Sequence, residues 1–231
     1  MTTRIPTDEL QRMATTAGRD LEDAPAQDVV RWAHETFGDA FVLTASMADG
    51  VLCHVASQAV PGIRVLFLDT GYHFAETIGT RDAIASAYDI TVETVGHPLT
   101  VPEHEASYGK LYETYPDLCC AMRKVFPLDR AIRPYTAWAS GVRRAENPGR
   151  AAAPVVGWDP RRKKVKVNPL ATWSDEQVDD YIAEHDILVN PLQQLGYASI
   201  GCEPCTQPVS DGEDPRAGRW AGKAKTECGI H

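Results

Sequence analysis

The chain has 231 residues, of which 43% are hydrophobic and 24% are charged, and its formal net charge at pH 7 is −9. This composition is ordinary for a globular protein and is sufficient for one large domain. The net negative charge argues against a general nucleic-acid-binding protein, because neutralising phosphates needs clustered Lys and Arg. The opening residues MTTRIPTDELQRM lack the apolar core of a signal peptide, and no apolar run is long enough to span a membrane. We therefore expect a cytoplasmic protein with no membrane partner.

Short apolar runs of strand length alternate with helical patterns over the first hundred residues. The predicted helices are residues 25–38, 49–60 and 74–89. The predicted strands are DAFVLTASM (39–47), IRVLFLDTG (63–71) and ITVETVG (90–96). Strands that alternate with helices of this length are typical of a parallel sheet covered by helices. We therefore predict an α/β fold.

The pattern is looser in the second half of the chain. Residues 102–114 and 119–132 have a helical pattern, YTAWASGV (135–142) predicts a fourth strand, and residues 153–170 predict a β-hairpin. The basic run RRKK in that hairpin is interpreted as a solvated turn rather than a nucleic-acid site, since no aromatic residues interleave with it. Ser174 and Gln177 predict the capping box of a later helix.

Periodicity is lost from Gly196 onward, and DGEDPRAGRWAGKAK is rich in Gly and charge. We therefore predict a single α/β domain over residues 1–210 and a flexible C-terminal segment over residues 211–231. The sequence leaves the oligomeric state open.

Three loops are expected to meet at the carboxyl edge of the parallel sheet, where open α/β sheets bind ligands. The first loop leads from a strand into a helix, so its hydroxyl and amide groups could hold an anion, or could simply cap the helix. The second loop, LDTGYHF, could contact the base or ribose of a nucleotide, and the third, GVRR, adds positive charge. Together they predict a site for an anionic nucleotide. The candidate residues are Ser46, Asp69, Thr70, Gly71 and Arg143.

Six cysteines carry the strongest chemical signal, because disulfides are rare in the cytosol. Cys119 and Cys120 are adjacent, and Cys202 and Cys205 form a CxxC, so the two pairs suit tetrahedral zinc or a [4Fe–4S] cluster. Two adjacent thiolates cannot both reach one small ion without strain, which favours the cluster. The alternative is a buried cysteine pair together with a redox-active CxxC. Cys53 lies on the apolar face of a predicted helix and is expected in the core.

Cys228 follows a stretch in which every charge is positive until Glu227. The cations are Arg216, Arg219, Lys223 and Lys225. Positive neighbours favour the thiolate, which is the reactive form, and they also attract an anionic substrate. We therefore expect Cys228 to be a nucleophile, with His231 close enough to hold an anion or to tune the thiol. The alternative is an incidental cysteine in a disordered tail.

These blocks of sequence together resemble the assimilatory sulfonucleotide reductases. The final ECGIH looks like the catalytic C-terminal motif of that family, and the resemblance extends over roughly residues 38–231. Further matching blocks are LDTGYHFAET, CCxxRKV, GVRR, NPLATWS, GCEPCT and DPRAGRW. The resemblance implies a fold similar to the PP-loop adenine-nucleotide hydrolases. The PP-loop pattern SGGxDS is not kept, since residues 46–50 read SMADG, and this departure fits a family that does not split ATP.

Cysteine content divides the family, and this chain looks like the members that reduce adenosine 5′-phosphosulfate with a [4Fe–4S] cluster. Most members that reduce the 3′-phosphorylated substrate lack all four ligands. The resemblance implies that the Cys228 thiolate attacks the sulfate sulfur, that AMP leaves, and that thioredoxin then releases sulfite. It assigns Lys124 a bridging role between cluster and substrate. The residues expected to hold the phosphosulfate are Arg143, Arg216, Arg219 and His231.

Two alternatives belong to other functional classes. One is a zinc-binding nucleotide sensor without catalytic activity, and the other is a PP-loop enzyme that thiolates tRNA. The second would need the SGGxDS loop and a basic face, and the sequence has neither pattern.

Overall fold

The computed structural model describes residues 5–210 and 212–230. Its strands are β1 Phe41–Ala45, β2 Ile63–Asp69, β3 Ile90–Gly96, β4 Ala137–Ser140, β5 Val156–Asp159 and β6 Lys164–Val167. Its α-helices are α1 Thr7–Asp20, α2 Ala26–Phe37, α3 Val51–Ala59, α4 Ala75–Ala87, α5 Val101–Tyr108, α6 Leu111–Thr114, α7 Pro116–Cys120, α8 Phe126–Ala131 and α9 Asp175–His185. A π-helical turn, Ala121–Val125, joins α7 to α8. Among these described residues, no helix is long and apolar enough to cross a bilayer.

The six strands form one sheet in the order β3-β2-β1-β4-β6-β5. All neighbouring strands are parallel except β5 and β6, which are joined as an antiparallel hairpin. The predicted α/β fold, with a mostly parallel sheet flanked by helices, is therefore confirmed. The order reverses direction between β1 and β4, and the loops after these two strands meet at the carboxyl edge, where such folds bind ligands.

Alternation along the strands divides the core between the two faces of the sheet. On one face, Leu43, Val65 and Ala139 join the larger apolar cluster beneath α1, α2 and α3. On the other face, Val42 and Trp138 pack with residues of α8, and Ile230 of the C-terminal segment lies against this smaller cluster. The second face is therefore the one that the C-terminal segment covers.

Helix α1 was not among the sequence predictions, yet it packs firmly on the edge hairpin. Leu10, Ala14 and Ala17 point inward and are at most 6% exposed. Gly18 permits the close approach, because a Cβ at that position would lie 2.2 Å from the carbonyl oxygen of Val156 in β5. The helix therefore covers the edge strand, which would otherwise offer unpaired backbone groups.

Two further sequence predictions need correction in detail. The helical pattern over residues 102–114 is broken at Gly109, whose φ of 69° ends α5, and α6 begins afterwards. The basic run does form the turn between β5 and β6, but the interpretation as a solvated turn is wrong for Arg162. Its side chain is 7% exposed and pairs with Asp129 and Asp159. The predicted capping box of Ser174 and Gln177 at α9 is confirmed.

Candidate active site

Four cysteines line one cavity beyond the carboxyl end of β2. Cys119 and Cys120 end α7, while Cys202 and Cys205 flank a short 3-10 turn, and all four face the same space. The CxxC segment is held to the loop after β2, because the Glu203 N–H donates a 2.8 Å hydrogen bond to the Tyr72 carbonyl. The sequence therefore places two distant cysteine pairs around a common cavity, as expected for a shared ligand.

The thiols of this cavity are buried and close to one another. Burial, followed by the neighbouring Cys120 and Cys202, raises the pKa of Cys119 to about 12. Burial likewise raises the pKa of Cys120 to about 11, against the opposing effect of Lys124. Such thiols lose their protons when a bound cation is present to stabilise the thiolates. In the described part of the chain, no group of three or more His, Cys, Asp or Glu side chains is arranged to hold a single metal ion.

Two unpartnered donors complete the wall of the cavity. Arg219 Nε and Trp220 Nε1 are buried without a hydrogen-bond partner in the described structure, and both residues line the cavity. The chain places them there by folding back, since the Trp220 N–H donates to the Cys205 carbonyl at 3.0 Å. Buried donors of this kind normally have a partner, so they suit an acceptor bound in the cavity.

The loop after β2 lies between the sheet and the cysteine cavity. The Oγ1 atom of Thr70 is 3.2 Å from Cys202 Sγ. The backbone carbonyl of Thr70 accepts a hydrogen bond from the Arg123 guanidinium. Asp69 accepts a 2.7 Å hydrogen bond from the Gly71 N–H, which closes a turn. Gly71 has a φ of +75°, and a Cβ there would lie 2.7 Å from Arg123 Nη2. The residues of this loop that are predicted to contact the nucleotide therefore also help to hold the CxxC segment in place.

Ser46 and Arg143 lie at the neighbouring part of the sheet edge, where β1 and β4 end. Ser46 is exposed in the loop between β1 and α3, next to Met47, which has a φ of 60°. Arg143 pairs with Asp175 at 2.8 Å, at the beginning of α9. Burial raises the pKa of Asp49 in the same loop, against the hydrogen bond from Val51 N–H and the charge of Arg143. Asp49 and Arg143 therefore lie close enough at this edge of the sheet to interact electrostatically.

Lys124 and Arg219 line the cavity, and Cys228 lies close enough to both to affect their pKa values. Burial opposes a charge on Lys124, but the thiols of Cys202 and Cys228 beside it raise its pKa above the ordinary value. Burial, followed by the positive charge of Arg216, lowers the pKa of Arg219, and Cys228 opposes this shift. The structure thus brings the predicted nucleophile to the two cations that sequence analysis assigned to the substrate. His231 lies outside the described residues.

The C-terminal segment is docked mainly through polar contacts. Arg216 donates a 2.8 Å hydrogen bond to the Thr226 carbonyl, Lys225 pairs with Asp117 of α7, and Glu227 pairs with Arg150. Sequence analysis missed Arg150, because a lone arginine in a Pro-Gly-Arg turn carries no spacing signal. The flexibility predicted for residues 211–231 remains a prediction.

The family described as phosphoadenosine phosphosulfate reductase domain matches residues 40–208. A Streptomyces coelicolor protein named adenosine 5′-phosphosulfate reductase is 58% identical over 97% of this chain and 96% of its own length. A Mycobacterium tuberculosis protein of the same name is 48% identical over 100% of this chain and 98% of its own length.

Solved structures agree with this assignment. The phosphoadenylyl-sulfate reductase of Candida auris, in a phosphate complex, has a TM-score of 0.73 and 25% identity, covering 90% of this chain and 100% of the other. The FMN adenylyltransferase of Candida glabrata, at 10% identity and a TM-score of 0.56, covers 92% of this chain and 71% of its own, and is similar in fold alone. The family match spans most of the chain, including all four cavity cysteines, and the Mycobacterium tuberculosis relative covers the whole chain, including Cys228. The chain therefore belongs to the phosphoadenosine phosphosulfate reductase domain family.

Proposed function

We propose that this protein reduces adenosine 5′-phosphosulfate to sulfite and AMP in sulfate assimilation. The observation that carries the proposal is the position of Cys228 beside Lys124 and Arg219, two cations that line a cavity together with four cysteines. The names of the relatives at 58% and 48% identity support the choice of substrate.

The substrate would lie along the carboxyl edge of the sheet. Ser46, Asp69, Thr70, Gly71 and Arg143 are proposed to contact the nucleotide. Lys124, Arg216, Arg219 and His231, together with Arg143, are proposed to hold the phosphosulfate. Donors fixed in a partly buried site stabilise charge that develops during reaction, because they need not reorganise. Buried Arg219, whose Nε lacks a protein partner, is well suited to this task.

The first chemical step is a displacement at sulfur. The Cys228 thiolate attacks the sulfate sulfur, the bond from that sulfur to the bridging oxygen breaks, and AMP leaves with the electron pair. The product is an S-sulfocysteine on Cys228. This covalent route divides a difficult reduction into two easier steps.

The second step returns the enzyme to its starting state. One thiolate of reduced thioredoxin attacks the Cys228 sulfur of the intermediate, and sulfite leaves with the electron pair of the sulfur–sulfur bond. The second thioredoxin thiol then displaces Cys228 and forms the thioredoxin disulfide. Two electrons pass from the thioredoxin dithiol to the sulfur that leaves as sulfite, so the reaction needs no other reductant. Such a dithiol is kept reduced in the cytoplasm, which is the proposed location.

Residues 211–231 are proposed to move between two positions during this cycle. A docked segment brings Cys228 to the substrate, and an undocked segment presents the S-sulfocysteine to thioredoxin. The polar character of its contacts supports this motion, because ion pairs at a surface are exchanged for water at low cost.

Cys119, Cys120, Cys202 and Cys205 are proposed to hold one [4Fe–4S] cluster. The donor set fits, because four thiols share a cavity and two unpartnered N–H groups face the same space. When bound, the cluster would tie α7 to the CxxC segment, and its sulfur atoms could accept hydrogen bonds from the two unpartnered N–H groups. Lys124 then lies between these ligands and Cys228, which supports its proposed bridging role.

An assay on anaerobically purified protein tests the proposal. Sulfite should be released from adenosine 5′-phosphosulfate only when reduced thioredoxin is present, and the protein should be brown and contain iron and sulfide. Colourless zinc protein that binds nucleotide without releasing sulfite would instead identify a sensor.

A second candidate is reduction of the 3′-phosphorylated substrate. The description of the matching family and the Candida auris structure at 25% identity favour it. Measuring kcat/KM for both sulfonucleotides decides between the two. A clear preference for the 3′-phosphorylated compound would overturn the proposed substrate.

A further inference from the structure

The carboxylate next to the proposed nucleophile is held by a loop that no motif marks. Glu227 accepts hydrogen bonds from Arg150 Nε to Oε1 and from Arg150 Nη2 to Oε2, each at 3.0 Å. Asn147 Nδ2 donates a third, of 2.8 Å, to Oε1. A guanidinium that contacts both oxygens fixes the direction of a carboxylate as well as its distance. This loop therefore holds residue 227, the neighbour of Cys228.

The Arg150–Glu227 pair differs from the Lys225–Asp117 pair and from the Arg161 contact in the burial of its side chains. The side chain of Arg150 is 12% exposed and that of Glu227 is 33% exposed. Lys225 is 7% exposed but its partner Asp117 is 85% exposed. Arg216, which is 17% exposed and lies 3.5 Å from Glu227, adds to the same contact as Arg150. Arg161, which donates a 3.2 Å hydrogen bond to the Gly229 carbonyl, is 52% exposed. Because solvent and salt weaken exposed pairs more, the contact at Glu227 is the strongest polar contact near Cys228.

The loop that carries Asn147 and Arg150 is also connected to the end of β4. Glu146 accepts a 3.0 Å hydrogen bond from the Arg143 N–H and also pairs with Arg150. One carboxylate therefore joins the backbone of a proposed nucleotide-binding residue to the arginine that holds the C-terminal segment. The loop has contacts on both sides of the proposed substrate.

We infer that Arg150 and Asn147 are positioning residues that hold the C-terminal segment in its docked position by gripping Glu227. Neither residue needs to touch the substrate, because each acts on Cys228 through the preceding residue. The kinetic consequence rests on the proposed function, whereas the docking itself does not.

The first experiment measures docking without substrate. In Arg150→Ala, amide hydrogen exchange over residues 223–230 and trypsin cleavage after Lys225 should both become about tenfold faster, since a buried contact of this type is lost. Arg161→Ala is the matched control, because it removes an exposed arginine contact to Gly229, and it should change both rates less than about twofold. Equal effects of the two substitutions, or no effect of Arg150→Ala, would overturn the inference.

Asn147→Ala guards against a general loss of folding in Arg150→Ala. It removes one hydrogen bond and leaves the charge pair, so both rates should rise by a smaller factor of about three. If Arg150→Ala lowers the melting temperature of the whole protein, Asn147→Ala alone decides, and unchanged exchange in that variant would contradict the inference.

The second experiment measures chemistry. Single-turnover formation of the S-sulfocysteine should slow about tenfold in Arg150→Ala, with little change in the dissociation constant for AMP. The double variant Arg150→Glu with Glu227→Arg should recover part of the rate, and a merely structural role for Arg150 would not allow that recovery. If the wild-type protein forms no sulfite, the proposed function fails, while the exchange data still decide the docking.

Discussion

The two ends of the described chain are attached to the domain by different physical means. Helix α1 is held by apolar side chains, with Ala14 fully buried and Leu10 and Ala17 6% exposed. The C-terminal segment is anchored by Trp220, at 3% exposure, and Ile230 packs against the smaller apolar cluster. Its other contacts beyond Trp220 are mainly charged pairs with α7 and the loop at Arg150.

This difference separates a permanent attachment from a reversible one. Apolar burial is not weakened by charge screening and is lost only when the hydrophobic surfaces separate, whereas surface ion pairs are exchanged for water at small net cost. An element that stabilises the fold should use the first means. An element that must meet two partners in turn should use the second.

Replacing the proposed nucleophile should give the largest effect and should not affect either attachment. Cys228→Ser should lower sulfite release by at least about a thousandfold, because the covalent route is lost. Hydrogen exchange of residues 223–230 should stay unchanged, because neighbouring residues make the docking contacts. Sulfite assay and exchange are measured on the same preparation, and normal turnover would refute the role of Cys228.

A methyl group added to the apolar attachment should destabilise the whole domain. Gly18→Ala forces a Cβ to within 2.2 Å of the Val156 carbonyl oxygen. Its free energy of unfolding should fall by about 1–3 kcal/mol. Gly79→Ala is the control, since nothing lies within 4 Å of the added atom in α4, and it should gain up to about 1 kcal/mol of helix propensity. Denaturant unfolding gives both values, and a loss in Gly79→Ala would contradict this explanation.

Salt should distinguish the two attachments in the unmodified protein. Raising ionic strength from about 0.1 M to about 1 M shortens the screening length from about 10 Å to about 3 Å. Exchange of residues 223–230 should then accelerate by roughly threefold, while exchange in α1 stays constant. Equal responses at both ends would remove the proposed contrast.

Acid should release the polar attachment through Glu227. Burial opposes the charge on this carboxylate, but Arg150 and Asn147 together hold its pKa below the ordinary value of 4.5. Docking energy from a lowered pKa is fully present above 4.5 and is lost as pH falls through the docked value. Trypsin is inactive there, so exchange of residues 223–230 is the measurement. Glu227→Gln should show weaker docking at neutral pH and less dependence on acid.

Much of the fold followed from local sequence because its strands are short apolar runs between clear helical patterns. All four parallel-type strands of the first 142 residues were predicted near their observed positions, and the hairpin after them was also predicted. Helix α1 escaped prediction because its inward residues include small alanines, Ala14 and Ala17, which give a weak apolar signal. Its role depends on the edge of a sheet built 140 residues later.

The sequence predicts the parts of the candidate site that are recognisable by residue type. It does not predict contacts between residues that are far apart in the chain. The cysteine pairs and Cys228 are visible in the sequence because thiols are rare and reactive. Arg150 and Asn147 are not, because an arginine and an asparagine in a turn become informative only when Glu227 is seen beside them. No local pattern joins residues almost 80 positions apart.

The π-helical turn between α7 and α8 determines the direction in which the cysteine pair points around the helix axis. This turn, Ala121–Val125, widens the helix by one residue directly after the cysteine pair. If the same residues were wound as a regular α-helix, the extra residue would rotate everything before the turn by about 100° around the helix axis. Cys119 and Cys120 would then no longer face the CxxC. The irregular winding acts as a one-residue phase shift that lets a single helical segment serve both the core, through Leu128, and the cysteine cavity.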